Sequence, residues 1–237
     1  MAEKIILGLC TSGSRLKIAV RAGQRYFQAQ KKVFNQEKFI FSLVKSQLKK
    51  AGALLRGVKT VCAARGPGRF TGIRISLTLA GALKAMACAK VYTATLFEIL
   101  ALQAFESAHF RSWAAARTVR LVVLLHAFKD EYFCQAFLTS GLRRPRPEAE
   151  PGWLKADEMK KLLAGLKGES YFIADAEESP DIYSLAPAGA ALAPASLSKI
   201  VPSYIIKAAL VYKNRTLKPL YLKPAKYEME ARKHAES

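Results

Sequence analysis

The stretch with the most chemical potential is Arg65-Gly66-Pro67-Gly68-Arg69-Phe70-Thr71-Gly72-Ile73-Arg74-Ile75. An apolar run, Val58 to Ala64, precedes it and predicts a strand; a helical pattern from Ile73 to Cys88 follows. Three glycines and a proline make a tight turn in which backbone can approach backbone or ligand closely. Strand, glycine turn and helix in that order describe a phosphate loop at a helix N-terminus. No Gly-Lys-Ser/Thr closes the loop, however, so the phosphate-binding lysine and the magnesium-binding hydroxyl have no place.

Other chemistry is thinly represented. His109, His126 and His234 lie far apart, with no spacing that would hold a metal on one helix. Ser12, Ser14, Ser42 and Ser46 lack the glycine-flanked turn of a nucleophile. Asp130 and Glu131 are adjacent, so their side chains diverge. Asp175, Glu177 and Glu178 form the only acidic cluster, follow a predicted strand, and read as a solvated turn ahead of a metal site. Cys10, Cys62, Cys88 and Cys134 lie in apolar stretches without CxxC spacing and read as small buried hydrophobes. The expectation is no catalytic residue, no metal and no cofactor.

The elements that must position the glycine turn can be read along the chain. Lys4–Cys10, Arg15–Arg21 and Tyr26–Val33 predict three consecutive strands, and Glu37–Ala51 predicts a helix with Ile40, Leu43, Val44 and Leu48 inward. Val91–Thr93 and the helix Thr95–Ala108 complete a first half. Strands Thr118–Leu125 and Glu131–Thr139 open a second. An exposed loop Gly141–Gly152, a helix Asp157–Leu166, a strand Tyr171–Ala174, a linker Ser184–Pro194 and a last helix Leu197–Tyr212 follow. Two β-rich halves with helices predict a duplicated α/β architecture, divided into 1–108 and 109–237, with the last helix and tail packing back on the first half.

The chain has 237 residues, 51% of them hydrophobic, and a net charge of +20 from 38 Lys and Arg against 18 Asp and Glu. Such an excess points to a polyanionic partner, RNA first. No apolar run reaches the length needed to span a bilayer, and the N-terminus lacks a signal-peptide pattern, so a reducing cytoplasm is expected.

The glycine turn resembles the Gly-Pro-Gly-Ser-Phe-Thr-Gly-Leu-Arg-Ile-Gly motif of the TsaB family, part of the bacterial machinery that makes N6-threonylcarbamoyladenosine in tRNA. Gly66, Pro67, Gly68, Phe70, Thr71 and Gly72 match; Arg69 replaces a serine and Ser76 a glycine. Ile5-Ile6-Leu7-Gly8-Leu9-Cys10-Thr11-Ser12 is similar to the family's Ile-Leu-Ala-Ile-Asp-Thr-Ser, and Pro219-Leu220-Tyr221-Leu222-Lys223 to its closing Pro-x-Tyr-Leu-Arg. Leu125 to Tyr132 is similar to a degraded Ile-Asp-Ala-Arg-Arg-x-Glu-Val-Tyr.

The resemblance implies two RNase-H-like subdomains of the actin, Hsp70 and sugar-kinase type. It implies a non-catalytic scaffold or activator, a pseudoenzyme that binds a TsaD-like catalytic subunit, with a TsaE-like ATPase, tRNA and a second copy as further partners. Cys10 and His126 stand where catalytic members of the superfamily carry aspartates, so Cys10, Thr11 and Ser12 read as a vestigial nucleotide loop. A thiol is a poor magnesium ligand.

The expected partner face is built from the first two helices: Ile40 and Val44 on one, Ile75, Leu79, Gly81, Ala82 and Ala85 on the other. Small residues allow close helix approach. Lys223, Lys226 and Arg232, interleaved with tyrosines, are the expected nucleic-acid contacts. Arg143, Arg144 and Arg146 read equally as a phosphate-binding tongue or a solvated loop. Two other functions stay open: an ATP-dependent small-metabolite kinase of the actin-like superfamily, and a stand-alone RNA-binding protein.

Overall fold

A computed structural model describes residues 4–141 and 143–223. The strand β1 (Ile5–Cys10) is apolar throughout because both its faces are covered. Ile6 and Cys10 point to one side and Ile5, Leu7 and Leu9 to the other, as the two-residue period of a strand requires. β2 (Arg15–Ala22) and β3 (Arg25–Lys32) return antiparallel, joined by a tight turn at Gly23. The helix α1 (Gln36–Lys50) follows, then β4 (Val58–Ala64), α2 (Phe70–Ala87) and β5 (Lys90–Ala94). The strands form one sheet in the order β3-β2-β1-β4-β5, with β1, β4 and β5 parallel.

The second half repeats this plan. After α3 (Leu96–Glu106) and α4 (Ala108–Ala114) come β6 (Thr118–Phe128), β7 (Glu131–Ser140), β8 (Arg143–Pro147), β9 (Gly152–Lys155), α5 (Ala156–Ala164), β10 (Ser170–Ala174) and β11 (Ala191–Leu192). Read from β8, the second sheet runs β8-β7-β6-β10-β11, the same order and the same parallel or antiparallel sense as the first. β9 pairs with β7 beyond β8. The last helix, α6 (Pro202–Tyr212), does not join the second half; it packs on the first sheet.

Three cores result. One lies between the first sheet and α1 and α2, and holds Leu7, Leu16, Ile18, Ile40, Val44 and Leu77. The central core holds α3 and α6 between the two sheets. The third lies between the second sheet and α5. Beyond α6 the chain stays on the first half. Thr93 bridges to Asn214, the Thr93 hydroxyl donates to the Thr216 carbonyl at 3.0 Å, and the Leu220 amide donates to the Arg65 carbonyl at 2.7 Å.

Several expectations change. The long third helix breaks at Ser107, whose hydroxyl accepts from the Phe110 amide and so caps α4. The expected loop 141–152 contains β8, an edge strand; edges tolerate its prolines because no ladder donor is needed there. The expected linker 184–194 contains β11, which completes the second sheet, and the preceding turn, Ile182–Leu185, buries both its end residues. The last helix starts at Pro202, not Leu197: proline fits the first turn, where its missing N–H has no partner to lose, but not a helix interior. Cys88 is exposed, in the left-handed conformation that ends α2.

Candidate functional site

The two halves face each other across a cleft of about 380 Å³. The end of β1 and the following loop (Cys10, Ser12, Gly13) form one wall with Arg15 and Lys17 of β2. The glycine turn (Pro67, Gly68, Arg69) closes one side. The end of β6 (Leu125 to Phe128) and the segment after β10 (Asp175, Glu178) form the opposite wall.

The glycine turn is fastened to the first loop. The Thr11 hydroxyl donates to the Gly72 carbonyl, and the Arg69 amide donates to the Ser12 carbonyl at 2.8 Å. The contact is close enough to explain two glycines. A Cβ on Gly72 would lie 2.0 Å from the Thr11 carbonyl oxygen, and one on Gly68 would lie 2.4 Å from that of Ser12. Gly68 also has a φ of +146°, which side chains resist. The turn thus serves to lock β1 against α2. On its outer side Phe70 stacks on Tyr221 at 4.8 Å between ring centres, and the Arg74 guanidinium lies 3.8 Å over Phe70, which ties the tail to the motif.

The acidic cluster is not a solvated turn. Glu178 accepts from the Ser14 amide and from the Ser14 hydroxyl, both at 2.7 Å, and lies 4.0 Å from the Arg69 guanidinium. Glu177 accepts from the Lys17 ammonium at 2.7 Å and lies 3.4 Å from the Arg15 Nε. Lys17 is buried, and its ammonium also donates to the Ile200 carbonyl at 3.1 Å. Burial works to raise the Glu177 carboxyl, but the Lys17 hydrogen bond and the charges of Lys17 and Arg15 outweigh it and hold the group below its usual range. Asp175 is 4% exposed, and burial pushes its carboxyl up to about 6 against the pull of Lys17. Three cations, Arg15, Lys17 and Arg69, therefore face three carboxylates.

This set does not fit a magnesium nucleotide. The thiol of Cys10 is buried, and burial raises its pKa, so it stays a neutral soft group where a hard oxygen donor is needed. The loop donor at Ser14 already serves a carboxylate, and the cations are matched by acids from the opposite wall. His126 lies on the cleft, its Nε2 2.9 Å from the Lys129 carbonyl and its ring edge-on to Tyr132. Among the described residues no three His, Cys, Asp or Glu converge as a metal site.

The other expected site residues scatter. Ile40 and Val44 are buried in the chain's own core, at 2% and 1% exposure, so they do not lie on an open face. Gly81 lies beside the chain's own Leu217, 3.7 Å from where its Cβ would be, an ordinary packing distance, so it faces the tail and not an open surface. Ala82 and Ala85 are exposed, and Ile75 and Leu79 half-buried. Ile75, Leu79, Ala82 and Met86 recur at helical spacing and form an outward apolar stripe, with Met86 87% exposed. A groove of about 350 Å³ between Phe34, Phe70 and Ile75 continues it. Lys223 is ion-paired with Glu131 and lies 5.5 Å from the Phe128 and Trp153 ring centres, so it fastens the tail to the second half. Lys226 and Arg232 lie outside the described residues. Arg143 and Arg146 pair within the edge of the second sheet, while the Pro145 carbonyl accepts from Tyr212.

Two halves with one strand order, facing across a cleft at the ends of their central strands, define the fold of the actin, Hsp70 and sugar-kinase superfamily. No protein-family model and no curated protein matches the chain. Two solved structures are similar over nearly its whole length: YeaZ from Pseudomonas aeruginosa, and an uncharacterized protein from that organism described as similar to peptidase YEAZ. Each is 18% identical with a TM-score of 0.70, and each match covers 94% of this chain and 100% of the other. A looser match, the PPX-GPPA enzyme of Aquifex aeolicus, has 12% identity and a TM-score of 0.40 over 73% of this chain and 68% of that one.

Proposed function

We propose that this chain is a TsaB-like subunit that acts by binding a partner and not by turning over a nucleotide. YeaZ is the TsaB family, and the glycine turn, the first strand and the tail resemble that family in order and spacing. The observation that carries the reading is the self-occupied cleft. The Ser14 donors of the first loop are taken by Glu178, and a buried neutral thiol stands at the end of β1. The apolar stripe Ile75, Leu79, Ala82 and Met86 is the face offered to a TsaD-like catalytic subunit, which would modify the adenosine next to the anticodon while this chain serves as scaffold and activator. A TsaE-like ATPase would join the same assembly in the cytoplasm.

The test mixes the purified chain with a TsaD-type protein from the same source and follows co-elution by size exclusion. ATP turnover by the chain alone is measured beside it. Co-elution, with turnover no faster than buffer, is the expected outcome. Magnesium-dependent turnover that Ser12→Ala abolishes, without co-elution, would replace this reading with the small-metabolite kinase.

A further inference from the structure

The basic charge of the chain is not spread evenly. Between Lys4 and Phe97 the sequence holds eighteen Lys and Arg and a single acid, Glu37, so this segment carries +17 of the net +20. Part of that charge is arranged on α1. Lys38, Lys45 and Lys49 stand at i, i+7 and i+11, which places them in one stripe within about 40° around the helix and spanning about 16 Å. All three are exposed, and none has a carboxylate partner among the described residues. Lys45 and Lys49 are one turn apart, where like charges repel. A surface helix normally relieves such repulsion with interspersed acids; α1 has only Glu37, in its first turn.

Aromatic rings are set among these cations. Phe41, 53% exposed, lies between Lys38 and Lys45 on the helix. On the neighbouring edge strand the Lys31 ammonium lies 4.0 Å over the Phe39 ring, and the Arg25 guanidinium lies 5.6 Å from the Phe27 ring centre. Among the described residues β3 is an edge strand of the first sheet, with no further strand beside it. Cations at helical intervals, without carboxylate partners among the described residues, beside the exposed ring of Phe41 and the half-buried rings of Phe39 and Phe27, fit a single-stranded polyanion, whose phosphates meet the charge and whose bases stack on an open ring.

We infer that the outer face of α1 with the edge strand β3 is a docking surface for single-stranded RNA. The surface lies on the first half, away from the tail lysine Lys223, whose ammonium already serves Glu131. The inference does not depend on the subunit reading, because it is measured on the chain alone.

The probe is a fluorescein-labelled single-stranded RNA, titrated with the full chain at several potassium chloride concentrations and read by anisotropy. One variant combines Lys38→Gln, Lys45→Gln and Lys49→Gln; a control of equal charge combines Lys160→Gln, Lys161→Gln and Lys167→Gln on and after α5. All six side chains are exposed, and thermal melting establishes that both variants are folded. The α1 variant should bind about tenfold or more weakly at low salt, and its slope of log affinity against log salt should be shallower by about 2, from three lost phosphate contacts at about 0.7 each. The control should keep the parent slope. Equal losses in both variants would reduce the effect to net charge and overturn the assignment. So would unchanged binding by the α1 variant, or a preference for phosphatidylserine vesicles over RNA.

Discussion

Glu178 reaches across the cleft to Ser14, 164 residues earlier in the chain, and its Oε1 accepts both the backbone N–H and the hydroxyl at 2.7 Å. One carboxylate oxygen thus satisfies two donors of the first loop and joins the two halves at the point where a ligand would otherwise separate them. A Cβ on Gly13 would lie 2.7 Å from the same oxygen, so the loop is shaped around it.

Replacing Glu178 with alanine should cost about 1.5–3 kcal/mol, the range for hydrogen bonds to a charged group whose partners are left unpaired. The residue is partly exposed, which favours the lower end. Glu178→Gln, which keeps an acceptor oxygen, should recover part of the loss. Urea unfolding measures both, and equal stability of parent and Glu178→Ala would show that the bond is not made in solution.

Asp175 gives the pH dependence a definite sign. Burial raises its folded-state pKa to about 6, from 3.8. As pH rises through that window the unfolded chain releases the proton first, so this group's contribution to stability falls between about pH 4 and 6 and is level above. Asp175→Asn removes the effect. The variant should exceed the parent by on the order of 2–3 kcal/mol at pH 7, two pKa units at about 1.4 kcal/mol each, with the gap closing toward pH 4. A gap independent of pH in denaturant titrations would contradict the assignment.

The glycine turn should tolerate almost nothing. Gly72→Ala sets a methyl 2.0 Å from the Thr11 carbonyl, backbone that cannot swing aside, and should cost about 3 kcal/mol or more. Gly57→Ala, with nothing within 4 Å of the added atom, is the matched control and should be nearly neutral. Comparable melting temperatures for the two would mean that the turn is not seated as described.

On α2 the substitutions should separate partner from core. Ala82→Asp and Met86→Asp lie on the open stripe and should weaken co-elution with a TsaD-type protein, while the stability of the isolated chain changes by no more than about 0.5 kcal/mol. Gly81 lies beside Leu217 of the tail, so the added bulk of Gly81→Leu should act on the stability of the isolated chain whether or not a partner is present. Co-elution undisturbed by Ala82→Asp would remove the stripe from the interface.

Local pattern made much of this architecture legible. The apolar run at Ile5 marks a strand covered on both faces, and Ile40, Val44 and Leu48 mark the inward side of α1. The glycine turn is conspicuous because backbone packing there forbids side chains. What stayed hidden depends on distant partners. Nothing near Glu178 says that it will meet Ser14, so the acidic cluster looked like any polar turn. Gly81 and Ala85 share a composition, yet one is covered by the tail and the other is open. Pro202 marks the start of α6, five residues after the Leu197 at which the sequence reading begins that helix. The excess of basic residues before Phe97 could be counted directly; that Lys38, Lys45 and Lys49 share an uncovered face required the position of α1 beside the free edge of β3.

The placement of α6 bears on how the molecule is made. Ile206 occupies the space above Gly8, so tightly that a Cβ there would fall 2.8 Å from its Cγ1, and Ile205, Ala208 and Ala209 join the same core as Ile6 and Cys10. On the ribosome the first sheet emerges without this helix, which begins only at Pro202, after all the strands of the second sheet. The first half therefore cannot complete this core until α6 has been made. An isolated fragment ending at residue 108 would keep α3 but lack α6, so the part of that apolar side which Ile205, Ile206, Ala208 and Ala209 cover would stay open to other copies of itself.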